Sequence, residues 1–404
     1  MFGRLVFVLW VAAIFRLEAQ ESAPGVMISC PGHPFAGASA EELPLRHLRM
    51  NESPSARFVP DYFNVPDSVK VVVEAAFEVW DKILISQVPI HIHVYWQSMN
   101  SGTLATAGSD RVYKNFKYAP LRDVWYPSAL ANAITGERIN SENPDIILKI
   151  NKDANWSLDY DGPQDFRNYD MLSVIIHEIA HGIGFMSSFE MSGTTRVKWG
   201  ISNLPLIYDR YMVDRNGNSL VNNRFYTNDS EDLLKEVTEE SIFFRVDSGF
   251  YSFQRPPLYT GNPFSAGASL SHVAENPSPQ ADSRDRLMLP SLSRGMRYHY
   301  PGDGILAILF QMGWALNFYE FEREYQYVTG SFALFPNPGT DRVQLKVNRF
   351  TPDSEMHYFL LDAEGRVLNS RLISTEETEI SLKELPAGRY FLRVGGHSLP
   401  LVKL

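Results

Sequence analysis

One apolar stretch decides the expected fold, and it runs Met171-Leu-Ser-Val-Ile-Ile-His-Glu-Ile-Ala-His-Gly-Ile-Gly-Phe185. His177 and His181 are four residues apart, so on an α-helix both imidazoles lie on one face, about 5.4 Å apart along the axis. Two neutral imidazoles so placed can bind one zinc ion at about 2.0–2.1 Å each. Glu178 projects from a neighbouring angle and can act as a general base without being a ligand. The pattern predicts the active-site helix of a zinc peptidase.

The flanks of this stretch support a helix. Asp170 stands at the expected N-cap position, and Gly182 and Gly184 provide a stop at the other end. The apolar residues between them can anchor the helix in a hydrophobic core; they are Leu172, Val174, Ile175, Ile176 and Ile179.

Composition limits the class of protein. The chain has 404 residues, of which 44% are hydrophobic, enough for a large core and two or three domains. The net charge is −10, and no basic block indicates nucleic-acid binding. Cys30 is the single cysteine, so no intrachain disulfide can form. Two interpretations of Cys30 stay open: an inert thiol, or a thiolate that blocks the zinc in a latent form.

The first residues are typical of a secretory signal peptide, predicted to span residues 1–19. Arg4 is followed by the apolar run Leu5 to Phe15 and the cleavage site Leu17-Glu-Ala19. The run is too short to span a bilayer, and no other stretch is long enough, so no transmembrane segment is expected. Residues 20–60 are rich in Pro, Gly, Ala and Ser and are predicted to be an irregular N-terminal segment, with removal as a pro-segment left open.

The region 61–330 shows the order helix, strands, zinc helix, which predicts an α+β fold. Val65 to Leu84 has helical periodicity, whereas Ile90 to Trp96 alternates as a strand. Further extended segments are expected at 102–108 and 144–150. Residues 190–268 show little periodicity and are predicted to be a long insertion with loops. His91 and His93 share one face of their strand. A solvent-exposed sheet face explains these two histidines as well as a metal site does.

A catalytic zinc needs three protein ligands and one open position. The residues leave several candidates for the third ligand open: His272, His299 and Asp209, since a carboxylate also binds zinc, at about 2.0–2.2 Å.

Several motifs together resemble the leishmanolysin-like branch of the metzincins, and the resemblance is closest to its secreted bacterial relatives. They are His-Glu-x-x-His-Gly-x-Gly-Phe, Ser271-His272 after a long insertion, Leu287-Met-Leu-Pro290, and a helix ending at Gly313-Trp314. The resemblance covers roughly residues 60–318. It implies a twisted mixed sheet plus the active-site helix, His272 as the third zinc ligand, and Met288 as the Met-turn residue beneath the metal.

The sequence departs from the metzincin pattern in two ways. Metzincins commonly carry their third histidine six residues after the second, where this chain has Ser187, so the third ligand comes 91 positions after the second (272 − 181 = 91). The chain also lacks the many cysteines found in the leishmanolysin-like proteins of parasites, so neither a disulfide-stapled architecture nor the membrane anchoring of those proteins is inferred.

From about residue 331 short strands predict a small all-β sandwich domain at 331–404. Pro336-Asn-Pro338, Asp362-Ala-Glu-Gly-Arg-Val367, Leu385-Pro-Ala-Gly-Arg-Tyr390 and a Val-Lys-Leu end resemble the C-terminal sorting domain of the type IX secretion system. This resemblance implies a bacterial protein that passes through the periplasm and is then attached to the surface or released.

The sequence as a whole predicts a secreted zinc endopeptidase with Glu178 as general base and His177, His181 and His272 as zinc ligands. Its expected partners are a protein or peptide substrate and the type IX secretion machinery. The alternative is a non-catalytic surface binding or adhesion protein on a metallopeptidase scaffold, and the intact Glu178 argues against it.

Overall fold

The structure is a computed structural model, and it describes most of the chain after the predicted signal peptide. The described ranges are 20–36, 56–140, 142–239, 241–246, 256–275, 283–317, 332–347, 357–362, 367–373, 375–394 and 397–404. Residues 1–19 lie outside these ranges. Within the described ranges, no helix combines the length and apolar character needed to cross a membrane.

The described part of the chain is mixed α+β, which confirms the predicted class. Its α-helices are α1 Asp67–Ile83, α2 Ser128–Thr135, α3 Met171–Gly182, α4 Glu231–Glu239 and α5 Asp303–Met312. Its first eighteen strands are β1 Glu21–Pro24, β2 Met27–Ala36, β3 Phe58–Phe63, β4 Leu84–Ile85, β5 Ile90–Gln97, β6 Thr103–Ser109, β7 Arg111–Lys114, β8 Tyr126–Pro127, β9 Ile146–Asn151, β10 Trp156–Ser157, β11 Tyr169–Asp170, β12 Glu190–Ser192, β13 Arg196–Lys198, β14 Met212–Val213, β15 Ile242–Phe244, β16 Pro257–Leu258, β17 Leu292–Arg294 and β18 Ala315–Leu316. The remaining strands are β19 Phe332–Phe335, β20 Arg342–Val347, β21 His357–Leu361, β22 Val367–Leu372, β23 Glu377–Ser381, β24 Gly388–Val394 and β25 His397–Lys403.

A six-stranded mixed sheet supports α3. Its strand order is β17-β2-β6-β9-β5-β3. Strands β3, β5 and β9 are parallel to one another, and β6 runs antiparallel to β9. In β5 every second residue from Ile90 to Val94 is buried, which is the alternation predicted for a strand with one face on the core.

The prediction of an irregular segment at residues 20–60 is wrong for its described part. Strand β1 pairs with β7, and β2 enters the large sheet between β17 and β6. Prolines and glycines conceal the strand signal, but Ile28 and Cys30 are buried while Met27 and Ser29 are exposed. The ladder shifts register between Cys30 and Pro31, because a proline has no N–H to donate.

Helix α3 is held between the sheet and the other helices. The indole N–H of Trp80 in α1 donates to the Ile176 carbonyl at 3.1 Å, and that of Trp314, after α5, donates to the Ile183 carbonyl at 2.9 Å. At Gly182 the helix lies so close to β9 that an added β-carbon would be 2.5 Å from Ile146. The predicted N-cap is confirmed, since the Asp170 carboxylate accepts from the Ser173 amide at 2.8 Å.

The insertion predicted at about 190–268 has more regular structure than its sequence indicates. It contains β12, β13, a 3-10 turn at Asp209–Tyr211, helix α4 and the three-stranded sheet β14-β15-β16. Only Leu233 and Val237 anchor α4 fully, so its apolar stripe is too narrow to stand out in the sequence. The last strand of the insertion, β16, pairs with the His272 segment. Leu258 bridges to Val273, and the Tyr259 amide donates to the His272 carbonyl at 2.9 Å.

The C-terminal strands form two sheets, with orders β19-β20-β23 and β22-β21-β24-β25. Both sheets contribute to one hydrophobic cluster that is separate from the core around α3, with Val343, Leu345, Leu360 and Leu392 at its centre. Strands β21 and β22 pair antiparallel, as the predicted hairpin requires. The predicted hairpin tip, residues 363–365, lies outside the described residues.

Candidate metal centre

Three histidines from two distant segments meet beside α3. The Nε2 atoms of His177 and His181 are 3.0 Å apart, and Nε2 of His272 lies 3.3 Å from the first and 3.2 Å from the second. A tetrahedral ion with three bonds of 2.0–2.1 Å requires nitrogen separations of about 3.3 Å. The three ligand atoms therefore already lie close to the separations that one zinc ion needs.

Backbone carbonyls fix which nitrogen of each ring faces the centre. The Nδ1 atom of His177 lies 2.6 Å from the Leu287 carbonyl, that of His181 lies 2.6 Å from the Phe185 carbonyl, and that of His272 lies 2.9 Å from the Ala268 carbonyl. A carbonyl only accepts, so each Nδ1 carries the proton. The three Nε2 lone pairs then converge with no hydrogen between them, an arrangement that a cation stabilises.

Burial keeps the three rings neutral, which is the form that binds a metal. All three are fully buried. Desolvation lowers the pKa of His177 to about 4 and that of His272 to about 3, although the backbone carbonyl beside each ring opposes the shift. Desolvation and the two neighbouring rings hold the pKa of His181 well below its ordinary value. Metal binding at neutral pH would not have to displace protons from Nε2.

A hydrogen bond between two serines links the His272 segment to the chain that follows α3. The Ser187 amide donates to the Ser271 hydroxyl at 3.1 Å, so the chain after α3 is joined to the residue just before His272. Ser187 itself carries no metal ligand, and the contact links it to the His272 segment, which follows the predicted insertion.

Asp209, the alternative third ligand, has another environment. Its buried carboxylate accepts from the Ser187 hydroxyl at 3.0 Å, the Ser188 amide at 3.1 Å and the Leu206 amide at 3.0 Å, and also from the Ser188 hydroxyl. Burial raises the pKa of Asp209 to about 6, and these donors oppose the shift. Among the described residues, the groupings of side chains able to share a metal include the three histidines and leave Asp209 out.

The remaining candidate histidines also lie elsewhere. His299 Nε2 is 2.9 Å from the Asp170 carboxylate, which also forms an ion pair with the buried Arg297 at 3.2 Å. This cluster caps α3; the sequence predicts the cap at Asp170 but not its contacts with Arg297 and His299. His93 lies 3.4 Å from the exposed Asp61, and His91 is half-buried on the same strand.

Met288 lies directly after Leu287, whose carbonyl orients His177, and its side chain is fully buried. Its own carbonyl accepts from the Val273 amide at 2.8 Å. The Leu287–Met288 turn therefore touches the segments of two of the three histidines.

Glu178 and Cys30 lie on one side of the histidine cluster. Ligand atoms of Cys30, His177 and Glu178 all lie within 4.8 Å of one another. Both Glu178 carboxylate oxygens are buried without a hydrogen bond of normal geometry. Burial raises the pKa of Glu178 well above its ordinary value, and the Ala107 backbone opposes this only in part. The sequence left the position of Cys30 open. The alternating burial along β2, which turns Cys30 toward Glu178, is visible only in the structure.

Comparison with known proteins identifies the C-terminal part. Residues 333–403 match the secretion system C-terminal sorting domain, and residues 64–256 match the family described as SPBPB7E8-like. The second match includes α3 but stops before His272. No curated protein is significantly similar to the chain. The chain carries a type IX sorting domain, so it is a bacterial protein that interacts with the type IX machinery and is exported to the cell surface or the medium.

Proposed function

We propose that the chain is a secreted zinc-dependent endopeptidase with a metzincin-like domain of the leishmanolysin-like branch. The observation that carries this proposal is the triangle of Nε2 atoms of His177, His181 and His272, with Glu178 beside it. Three imidazoles held by backbone carbonyls provide an all-nitrogen ligand set and leave a fourth position for a substrate, which is the composition of a catalytic rather than a structural zinc site.

In this proposal Zn²⁺, when bound, supplies Lewis acidity that activates a water and polarises the peptide carbonyl. Glu178 takes the proton of the attacking water on a carboxylate oxygen and delivers it to the leaving amine. Its buried position strengthens it as a base, and a cation on the neighbouring histidines favours its ionised form. The Leu287, Phe185 and Ala268 carbonyls keep the three imidazoles oriented throughout.

The same proposal assigns the domains. The peptidase domain comprises residues 61–330 with its insertion at about 190–268, and the sorting domain comprises residues 331–404. Two separate hydrophobic clusters support this division. Met288 is assigned the Met-turn role, which its burial beside the Leu287 carbonyl supports.

The test is Glu178→Gln, measured for zinc content and for cleavage of casein. We expect one zinc per chain, as in the wild type, and a loss of cleavage by at least about a hundredfold, the scale of general-base catalysis. Glu74→Gln, a change of the same type on the exposed face of α1, is the matched control and should cleave like the wild type. Cleavage by Glu178→Gln at the wild-type rate would refute the proposal. A folded wild type with zinc but no cleavage would favour the binding-protein alternative or a latent form that still holds its N-terminal segment.

A further inference from the structure

Strand β2 lies in the groove that runs past the histidine cluster. It pairs antiparallel with β6, with Ile28 opposite Ala107 and Cys30 opposite Ala105, and parallel with β17, with Gly32 opposite Leu292. The Ala107 backbone lies beside Glu178, and β17 follows the turn that orients His177. Backbone pairing with β6 over Met27–Pro31 and with β17 from Gly32 onward therefore holds an extended chain in this groove, as in β-strand addition.

The inner face of β2 faces the centre. Ile28 and Cys30 are fully buried, whereas Met27, Ser29 and Pro31 are exposed. The Cys30 thiol lies within 4.8 Å of ligand atoms of His177 and Glu178. Since side chains alternate along a strand, the residue two positions before the one at the centre always enters the place of Ile28.

Ile28 fills a separate apolar pocket. Its buried neighbours are Val112, Trp125, Met186 and Leu206, and this cluster is distinct from the main core. The indole N–H of Trp125 already donates to the Ile201 carbonyl at 2.8 Å, so it does not require a polar partner from the occupant. The tip of Ile28 also reaches the loop that orients His272, because a β-carbon built on Gly267 would be 3.9 Å from Ile28 Cδ1.

We propose that the groove filled by β2 is the substrate cleft, and that the pocket under Ile28 selects a branched aliphatic side chain two residues before the one that lies at the metal centre. This rests on the proposed peptidase function and names its substrate class. An apolar pocket rejects a charged side chain, because the charge would lose its water without gaining a partner. It also discriminates against alanine, since each missing methylene lowers kcat/KM roughly tenfold or more.

Strand β2 remains uncut in this proposal because of its own sequence. Pro31 follows Cys30 and breaks the ladder at that point, so the bond after the residue at the centre does not lie in the regular register of a substrate. In the full chain β2 competes with the substrate for the groove.

The test uses peptides Gly-Val-Met-Xaa-Ser-Ala-Ala-Gly, which copy residues 25–32 with alanine in place of Cys30 and Pro31. Xaa is Ile, Ala or Asp. Binding is measured by calorimetry to the full chain carrying Ile28→Ala and Glu178→Gln, so that the native strand is weakened and no turnover occurs. Cleavage of the same peptides is measured with Ile28→Ala alone. Met27→Ala, on the exposed face of β2, is the matched control.

We expect the Ile peptide to bind and to be cleaved at least about tenfold better than the Ala peptide, and the Asp peptide to be the poorest. Ile28→Ala should cleave the Ile peptide faster than the wild type or Met27→Ala does. Leu206→Ala, which enlarges the pocket, should shift the preference from Ile toward Phe. This last variant changes the wall of the pocket rather than its occupant, and it is made in the Ile28→Ala background, so that the native strand is weakened to the same degree.

The outcomes separate the two proposals. Equal binding and cleavage of the Ile, Ala and Asp peptides would overturn the pocket while leaving the peptidase proposal standing. Selective binding without cleavage by any variant would support the pocket and overturn the peptidase proposal.

Discussion

Replacing Asp170 with alanine should destabilise the domain strongly, because one buried carboxylate both caps α3 and neutralises Arg297. The Arg297 side chain is only 3% exposed and forms an ion pair with Asp170 at 3.2 Å. Breaking a buried pair costs about 3–5 kcal/mol, and losing an N-cap costs about 1 kcal/mol. Three backbone carbonyls also accept from Arg297 and keep its charge partly stabilised, so we expect a total loss of about 3–5 kcal/mol.

The loss should depend on pH with a defined sign. Burial raises the pKa of Asp170, but His299 and Ser173 outweigh this effect, and the net pKa lies below its ordinary value. A lowered folded-state pKa means that the stabilisation is complete above the unfolded pKa of about 3.9 and is lost as the pH falls through the folded pKa. The difference in unfolding free energy between the wild type and Asp170→Ala should therefore be constant above about pH 5 and shrink below about pH 4.

The assay is urea unfolding followed by tryptophan fluorescence, at fixed zinc concentration and between pH 3 and pH 7. Asp170→Asn is the matched control, because asparagine retains the cap but not the charge. Its unfolding free energy should fall by about 1 kcal/mol less than that of Asp170→Ala. A loss below 0.5 kcal/mol in Asp170→Ala, or one that does not change with pH, would refute the reasoning.

Three further predictions concern the packing of α3, the metal centre and strand β2. Gly182→Ala should lower the unfolding free energy by about 1–3 kcal/mol, because its β-carbon would lie 2.5 Å from Ile146; an unchanged melting temperature would contradict this. A chelator should lower the thermal midpoint, since zinc at a thousand times its Kd stabilises by about 4 kcal/mol; equal midpoints with and without chelator would argue against a bound metal. The buried thiol of Cys30 should react slowly with a maleimide in the wild type and faster in Ile28→Ala, and equal rates would show that β2 is not held by its pocket.

The sequence was sufficient to predict α3, its cap and the class of fold. These features depend on local periodicity and on hydrogen bonds within a few residues of Asp170, which a single segment contains. His272 lies 91 positions from His181, and only a resemblance between motifs indicated that it belongs with the helix. No local pattern reveals that β16, the last strand of the insertion, pairs with the His272 segment.

The position of β2 could not be predicted for a related reason. Its prolines and glycines lower its strand propensity, and it is held by β6 and β17, which are far away in the sequence. The role of Asp209 was equally hidden, because its four donors come from Ser187, Ser188 and Leu206 and were not recognisable as its partners before the fold was known.

The central claim is most directly tested by elemental analysis of zinc in the wild type, His272→Ala, Asp209→Asn and His93→Ala, with casein cleavage assayed on the same samples. The account predicts one zinc per chain in the wild type, Asp209→Asn and His93→Ala, and zinc that is lost or loosened together with cleavage in His272→Ala. Zinc held by His272→Ala as firmly as by the wild type, together with its loss in Asp209→Asn, would contradict the three-histidine centre.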